Sequence, residues 1–451
     1  MTLARRASYL LYSEPRLLRP LHTISMYKYA ASALQVVVPS LVLLLAMSAE
    51  PASSANARIS FNFDARSIDG ADAYTWASKG SALVYATSDG TLWSVNGSNV
   101  AIATRIVKIA LPKEQKIEQI VCSPDGQDIA VVGPRLNDLW DTIWLVNIKT
   151  SELRDLLPLG APFGSPGTRA LRISTWLADG RIAFVEHCGT GCLGLHAVQT
   201  QKSKEYWDFC DASGSFFWSP TGKDAVVQND AEAMGPVGLG LVSASDGVAV
   251  AMGASYYRPR RECRSVFKGA VRCGICGPSQ VEPNFNSWFP DGETVLYTDE
   301  DLNSTQLKLW NTLSGARRTL VANGSSGALS SDGRYICFIS PEHETTITSR
   351  SKLVLLAILD LRSEKIVASR EIPNALPPVQ WSPSMTYLAI LDRDSKLLFA
   401  SLRPDGMRVR QTGVTGQELS WSPDGKYLAV LDSASSPSRL TILNVRLDAT
   451  P

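Results

Sequence analysis

The stretch WSPDGKYLAVLD, residues 421–432, joins a turn signal to a strand pattern. Pro423 presets the first central angle of the turn, Asp424 caps the turn through its carboxylate, and Gly425 supplies the positive φ that other residues adopt only at a cost. In the strand that follows, alternate side chains point to opposite faces, and both sets are apolar. The stretch therefore predicts a tight hairpin whose second strand is buried on both faces.

Related stretches recur along the chain. Each has an anchor residue, usually Trp, followed by a turn and a short apolar strand. The eight anchors are Trp76, Cys122, Trp176, Trp218, Trp288, Leu329, Trp381 and Trp421. Neighbouring anchors lie 40 to 54 residues apart, except for one gap of 70 between Trp218 and Trp288. A repeat of this length suits four short strands with their turns.

Eight units of four strands predict an all-β fold, an eight-bladed β-propeller. The last unit has only three strands before the sequence ends. We expect the strand near residues 58–64 to supply its outer strand and close the ring, because closure removes the free edges of an open array. Two anchors lack Trp, so a seven-bladed ring is the alternative.

The W-S-P-D-G turn followed by a strand with a central Ala resembles the WD-repeat-like propeller repeat of TolB-type periplasmic proteins. The same repeat occurs in the propellers of prolyl-oligopeptidase-type peptidases. The resemblance covers nearly all of residues 70–450 and implies a fold, whereas it says little about function. We expect a propeller without the N-terminal α/β domain of TolB proteins and without a peptidase domain.

The first 57 residues have a different composition. Basic residues precede an apolar run from Ala30 to Met47, and the sequence Ala55-Asn56-Ala57 follows. This is the pattern of a signal peptide, with Met26 as an alternative start. An uncleaved membrane anchor is the competing interpretation, because the apolar run nearly spans a bilayer. Residues 58–451 are predicted to form the exported propeller, in the bacterial periplasm or else secreted or membrane-anchored.

The overall composition excludes some classes of protein. Of the 451 residues, 45% are hydrophobic, which argues against a disordered chain. The chain has 44 Lys and Arg residues against 43 Asp and Glu residues, a net charge of +1. No global positive field would attract nucleic acid, so nucleic acid is not a predicted partner.

Six cysteines in predicted loops indicate disulfides. They are Cys188, Cys192, Cys210, Cys263, Cys273 and Cys276. The propeller topology predicts all six on one face, around blades three to five. In an exported protein they suit up to three disulfides, whose pairing the sequence leaves open.

A zinc site is the less favoured interpretation of the same residues. Cys273 and Cys276 have ligand-like spacing, and His187 and His196 flank another cysteine pair. His196 is predicted within a strand, however, and no second well-spaced pair accompanies it. The remaining two cysteines, 122 and 337, are predicted to be buried thiols that act as small apolar residues.

The 70-residue gap contains an insertion at residues 253–283, which we call the basic insertion. Its predicted binding residues are Tyr256, Tyr257, Arg258, Arg260, Arg261, Arg264, Lys268 and Arg272. Arg and Tyr are favoured anchors at interfaces, and long loops on rigid scaffolds often carry function. The insertion therefore predicts contact with a protein or an anionic component of the cell envelope. A solvated loop held by disulfides is the alternative.

The sequence predicts an exported, non-enzymatic binding scaffold with no catalytic residue, metal ligand or cofactor. It has no G-x-S-x-G elbow. The histidines at 187, 196 and 343 are interpreted as surface or hairpin residues, and the acidic run 299–301 as a solvated loop. The alternative function is a glycan-acting hydrolase or lyase with its site in the central funnel, which would need converging carboxylates or histidines there.

Overall fold

The computed structural model describes the propeller region and leaves out the N-terminal segment. It covers residues 61–136, 141–157, 169–177, 179–188, 193–200, 206–212, 214–229, 238–243, 249–251, 282–300, 304–341, 353–373, 375–392, 394–403 and 406–447. Across these ranges the regular structure is entirely β-strand. The predicted signal peptide or anchor, residues 1–57, lies outside them.

Thirty-two strands follow one another along the described chain. They are β1 (Phe61–Asp69), β2 (Ala71–Trp76), β3 (Ala82–Thr87), β4 (Thr91–Asn96), β5 (Asn99–Lys108), β6 (Gln119–Cys122), β7 (Asp128–Pro134), β8 (Asp141–Asn147), β9 (Leu153–Asp155), β10 (Arg169–Trp176), β11 (Arg181–Cys188), β12 (Leu193–Gln199), β13 (Tyr206–Ala212), β14 (Gly214–Trp218), β15 (Asp224–Asn229), β16 (Gly238–Ser243), β17 (Ala249–Ala251), β18 (Glu282–Trp288), β19 (Thr294–Glu300), β20 (Thr305–Asn311), β21 (Arg317–Val321), β22 (Ser325–Leu329), β23 (Tyr335–Pro341), β24 (Leu353–Asp360), β25 (Lys365–Pro373), β26 (Ala375–Trp381), β27 (Tyr387–Asp392), β28 (Lys396–Arg403), β29 (Gly406–Thr415), β30 (Glu418–Trp421), β31 (Tyr427–Asp432) and β32 (Arg439–Leu447).

The strands form eight antiparallel sheets of four, arranged in a ring. Seven blades are consecutive runs from β2–β5 to β26–β29, and the eighth has the order β1-β32-β31-β30. The first strand of each blade lies innermost, since the inner strands of neighbouring blades contact one another. The eight-bladed prediction is confirmed, and the seven-bladed alternative is wrong.

The N-terminal strand closes the ring, as expected from the missing strand of the last unit. β1 pairs with β32 from Phe61 opposite Leu447 to Asp69 opposite Arg439. Within the described residues the closing strand runs to Asp69, beyond the predicted end at 64. Because β1 comes from one end of the chain and β32 from the other, their pairing ties the two ends of the propeller together.

The hydrophobic core consists of separate clusters between neighbouring blades. Each of the eight blade boundaries in the described structure holds one cluster. β31 shows how one strand serves two of them. Leu428 and Val430 pack toward blade seven, whereas Tyr427, Ala429 and Leu431 pack toward blade one. The strand is apolar on both faces because it is buried on both faces.

In five blades the turn motif closes its hairpin through the Ser that follows the anchor. In blade eight, the Ser422 hydroxyl lies 2.6 Å from the Asp424 carboxylate and accepts the Tyr427 N–H at 2.9 Å. Gly425 has a φ of 69°, as its place in the turn requires. In blade seven Met385 occupies the equivalent position with a φ of 58°, which a side chain adopts only at a cost.

In four blades the anchor Trp forms a hydrogen bond to the blade before it. The Trp381 indole N–H donates to the carbonyl of Ala328 in blade six at 2.9 Å, and its ring stacks on Tyr335 at 6.3 Å. Trp76 repeats both contacts across the closed ring, with the Ser420 carbonyl and the Tyr427 ring. Trp176 and Trp288 make the same hydrogen bond, to the carbonyls of residues 121 and 217. In these four blades the anchor Trp therefore joins two neighbouring sheets.

A matched pair of substitutions measures this hydrogen bond. Trp381 and Trp421 are both buried and both stack on a Tyr, but the Trp421 indole N–H has no hydrogen-bond partner among the described residues. Trp381→Phe should lower the free energy of unfolding by about 1 kcal/mol more than Trp421→Phe, because only the first leaves a carbonyl without its donor. Urea unfolding with an unchanged m value measures both, and equal losses would contradict the assignment.

Candidate functional site

Charged residues stand three or four positions before the anchors of four consecutive blades, in or next to the inner strands. They are Glu418 in blade eight, Asp72 in blade one, Glu118 just before β6 in blade two, and Arg172 in blade three. We call these four residues the channel rim. Asp72 is half-buried and the other three are exposed. All four lie on or next to inner strands, toward the side of the propeller away from the Ser-Pro-Asp-Gly turns.

Asp141 extends the rim toward blade three. It begins β8, and its carboxylate accepts the backbone N–H of Leu171 in β10 at 3.2 Å. Burial raises the pKa of Asp141 to about 6, and the negative charge of Glu118 adds to the shift. Asp141 therefore changes its charge near neutral pH, unlike an ordinary surface carboxylate.

Asp72 and Tyr74 form the blade-one side of the rim. One Asp72 oxygen accepts the Ser438 hydroxyl at 3.2 Å, and its other oxygen is buried without a hydrogen-bond partner in the described structure. Tyr74 donates to the Ala429 carbonyl at 3.4 Å. Burial raises the Tyr74 pKa, and the charge of Glu418 raises it further, so Tyr74 stays protonated as a donor.

Amide side chains hold the inner strands below the rim. The Gln119 amide accepts the Ile173 N–H at 2.7 Å and donates to the Ile173 carbonyl at 3.0 Å. Gln380 donates in the same way to the Leu419 carbonyl at 2.9 Å. These bonds join blade two to three and blade seven to eight, so the charged groups stand on a fixed frame.

The rim offers hydrogen-bond acceptors beside one cation. Its carboxylates suit amine or hydroxyl groups of a ligand, and Arg172 suits an anionic group. Within the described ranges, no group of three or more His, Cys, Asp or Glu side chains is arranged to hold a metal ion.

A second polar pair is buried inside blade three. His196 Nε2 lies 3.3 Å from Glu186 Oε2, and Phe184 packs against the imidazole with ring centroids 5.3 Å apart. Glu186 and His196 are both more than nine-tenths buried. The interpretation of His196 as a surface or hairpin residue is therefore wrong. Its strand places it opposite Phe184, on a face covered by blade two.

The predicted binding residues of the basic insertion lie outside the described residues, from Tyr256 to Arg272. The strands that flank the insertion are described. It leaves blade four after β17 and enters blade five at β18, so it is an inter-blade connection. Such connections lie at the same ends of the blades as the loops between second and third strands. The β11–β12 loop, which contains Cys192, is one of these loops.

The disulfide predictions are only partly covered by the structure. Cys188 ends β11 and Cys210 lies in β13, but their side chains and the whole of Cys192, Cys263, Cys273 and Cys276 lie outside the described set. The described register of β11 and β12 runs up to His187 opposite Leu193. The pairing of these cysteines stays a prediction.

The two remaining cysteines carry free thiols. Cys337 is fully buried, as predicted, and burial raises its pKa. Cys122 is only half-buried, contrary to the prediction, and the Ser78 hydroxyl of blade one donates to its sulfur at 3.8 Å. The prediction of a solvated loop is wrong for Asp299. This residue lies in β19, and its carboxylate pairs with Lys308.

The sequence motifs did not predict the channel rim. A usable signal was present, because Asp72, Glu118 and Arg172 each stand four positions before an anchor and Glu418 stands three before one. Asp141 and the Glu186–His196 pair have no such signal, since strand pairing between distant residues brings their partners together.

The comparisons with known proteins establish the fold class. No protein-family model and no curated protein matches the sequence. Among solved structures, the Dos1 propeller aligns with a TM-score of 0.51 and 11% identity, covering 84% of this chain and 94% of that one. An oligogalacturonate lyase in complex with manganese aligns with a TM-score of 0.48 and 10% identity, over 86% of this chain and 96% of that one.

A second oligogalacturonate lyase, from Vibrio parahaemolyticus, has a TM-score of 0.48 and 12% identity, over 86% of this chain and 98% of that one. Identities this low carry information about fold alone. The chain is an eight-bladed β-propeller, and its resemblance to TolB-type repeats stays at the level of the fold. No helix in the described ranges is long and apolar enough to cross a membrane.

The raised pKa of Asp141 predicts a pH-dependent stability. Between about pH 4 and 6 the folded state holds a proton that the unfolded state has lost, so this group makes the protein less stable as pH rises. Asp141→Asn keeps an acceptor for the Leu171 N–H and cannot ionise. Its melting temperature should match that of the native protein near pH 4 and exceed it above pH 6, by on the order of 1–2 °C.

Asp125 provides the control of opposite sign. The hydrogen bond from Ser123 and the backbone N–H of Gln127 lower its pKa, so its contribution to stability is present above pH 4 and lost in acid. Asp125→Asn should therefore melt below the native protein at neutral pH. Calorimetry measures the difference in melting temperature between Asp141→Asn and the native protein. A difference that does not change with pH would contradict the raised pKa of Asp141.

Proposed function

We propose that this chain is an exported, non-enzymatic binding scaffold. In this proposal residues 1–57 direct export, the propeller forms a rigid frame, and the basic insertion contacts an anionic protein surface or a component of the cell envelope. The observation that carries the proposal is the topology of the insertion, which connects the outer strand of blade four to the inner strand of blade five. Both of its ends are therefore anchored in rigid sheets.

Charge and composition support this assignment. The insertion carries six basic residues against two acidic residues, while the whole chain has a net charge of only +1. A local cationic surface on a nearly neutral protein favours a specific anionic partner over general attraction to anions. Arg side chains form paired hydrogen bonds with phosphate and carboxylate groups, which suits lipid headgroups, acidic glycans and acidic protein surfaces.

Replacing Arg258, Arg260 and Arg261 with Ala should weaken binding at least tenfold to vesicles containing phosphatidylglycerol or to immobilised polygalacturonate. The matched control removes three exposed cations from blade six, Arg362, Lys365 and Arg370, which gives the same change in net charge. Co-sedimentation and surface plasmon resonance measure the two probes. Equal weakening in both triple variants would mean that binding depends on overall charge alone. No weakening in either variant would contradict the assignment of the basic insertion as the binding surface.

Export and disulfides have a test of their own. The mass of the natively expressed protein, unfolded and then alkylated with and without prior reduction, should correspond to a chain starting near Arg58. Two cysteines should be alkylated before reduction and eight after it, because Cys122 and Cys337 are free thiols. A mass that retains residues 1–57, with eight cysteines alkylated before reduction, would instead favour an uncleaved segment and reopen the zinc interpretation.

A glycan-acting enzyme is the second candidate. The observation that favours it is the channel rim, where burial, together with the charge of Glu118, raises the pKa of Asp141, so that a carboxyl group able to hold a proton near pH 6 lies near a second acidic residue. Release of reducing ends from a polysaccharide, abolished by Glu118→Gln without loss of folding, would favour this candidate over the scaffold.

A further inference from the structure

Blade eight has an outer strand that differs from those of the other blades. β1 pairs with β32 over nine residues without a register shift. The outer strands β5, β13, β21, β25 and β29 each contain a shift in their pairing. The other two regular outer strands, β9 and β17, have three residues each. Bulges and short length protect a sheet edge from adding another strand, so β1 is the one long edge in the described structure without that protection.

The exposed side chains of β1 carry opposite charges on one face. Asp64 and Arg66 are two positions apart, and their side chains are 54% and 42% exposed. Arg66 Nη2 lies 3.0 Å from Asp64 Oδ2, and Arg66 Nη1 donates to the Ser98 carbonyl at 3.2 Å. Ala65, between them, has a small side chain. A strand with this pattern can meet a second copy of itself with opposite charges facing each other.

We propose that two copies of this chain associate through β1. The strands would run antiparallel about a two-fold axis at Ala65, so that residues 61–69 of one copy pair with residues 69–61 of the other. Asp64 of each copy then lies opposite Arg66 of the second copy. Blade eight of both copies joins into one continuous eight-stranded sheet.

Symmetry and charge together select this register. In an antiparallel pair, hydrogen-bonded and non-hydrogen-bonded residue pairs alternate, so a two-fold axis must pass through a residue that faces its own copy. An axis at Asp64 or at Arg66 would place two like charges directly opposite each other, which destabilises a sheet. An axis at Ala65 uses all nine residues and forms two favourable ion pairs.

Charge-reversed variants of the full chain test the register. In Arg66→Asp both charged positions are acidic, and in Asp64→Arg both are basic, so each variant alone should associate at least tenfold more weakly. A mixture of the two should form a mixed dimer, because every ion pair is then restored. Sedimentation velocity across the micromolar range measures the native protein, where a strand-sized interface should associate. Native mass spectrometry identifies the mixed species.

Two further variants separate pairing from folding. The double variant Asp64→Arg, Arg66→Asp should associate like the native protein, since its charges remain complementary. Arg105→Asp reverses an exposed charge on β5, whose pairing contains register shifts, and should leave association unchanged. The melting temperature of each single variant reports any damage to the folding of blade eight. Mixing the two variants would not restore association that is lost through such damage. A native protein that stays monomeric, or a mixture without mixed dimers, would overturn the proposal.

Discussion

The contact between an anchor Trp and the preceding blade is the interaction on which the ring depends. A four-stranded sheet buried on both faces has no stability alone, so each blade must be held against two neighbours. The Trp indole satisfies one backbone carbonyl of the adjacent inner strand while its ring fills the gap between sheets. The hydrogen bond occurs at four of the eight blade boundaries in the described structure, where it holds neighbouring inner strands together.

The ring tolerates variation where this contact changes. In blade two Cys122 replaces the Trp, and Ser78 of blade one reaches the sulfur and the neighbouring backbone instead. In blade six Leu329 is the anchor, and Gly327 lets the Leu296 and Leu307 side chains approach closely. Closure by β1 compensates for such weaker boundaries, because a closed ring cannot open at one boundary without separating strands elsewhere.

Polar groups gather at the end of the channel away from the Ser-Pro-Asp-Gly turns. The rim carboxylates and Asp141 stand there, as do the two ends of the basic insertion. The turns on the opposite side are fixed by their own hydrogen bonds and glycine conformations, which leaves little freedom for other chemistry. The connections between blades have no such requirement, so charged side chains and insertions are tolerated in them.

The sequence by itself favoured eight blades and predicted the buried second strands, the turn geometry and the closing strand. Those features repeat, and each follows from short-range rules of φ angles and alternation. Only the tertiary structure decided that His196 is buried beside Glu186, that Asp141 is desolvated near Glu118, and that β1 is an unprotected edge. Each of these depends on which residue of a distant strand lies opposite, and strand register is set by packing across the whole sheet.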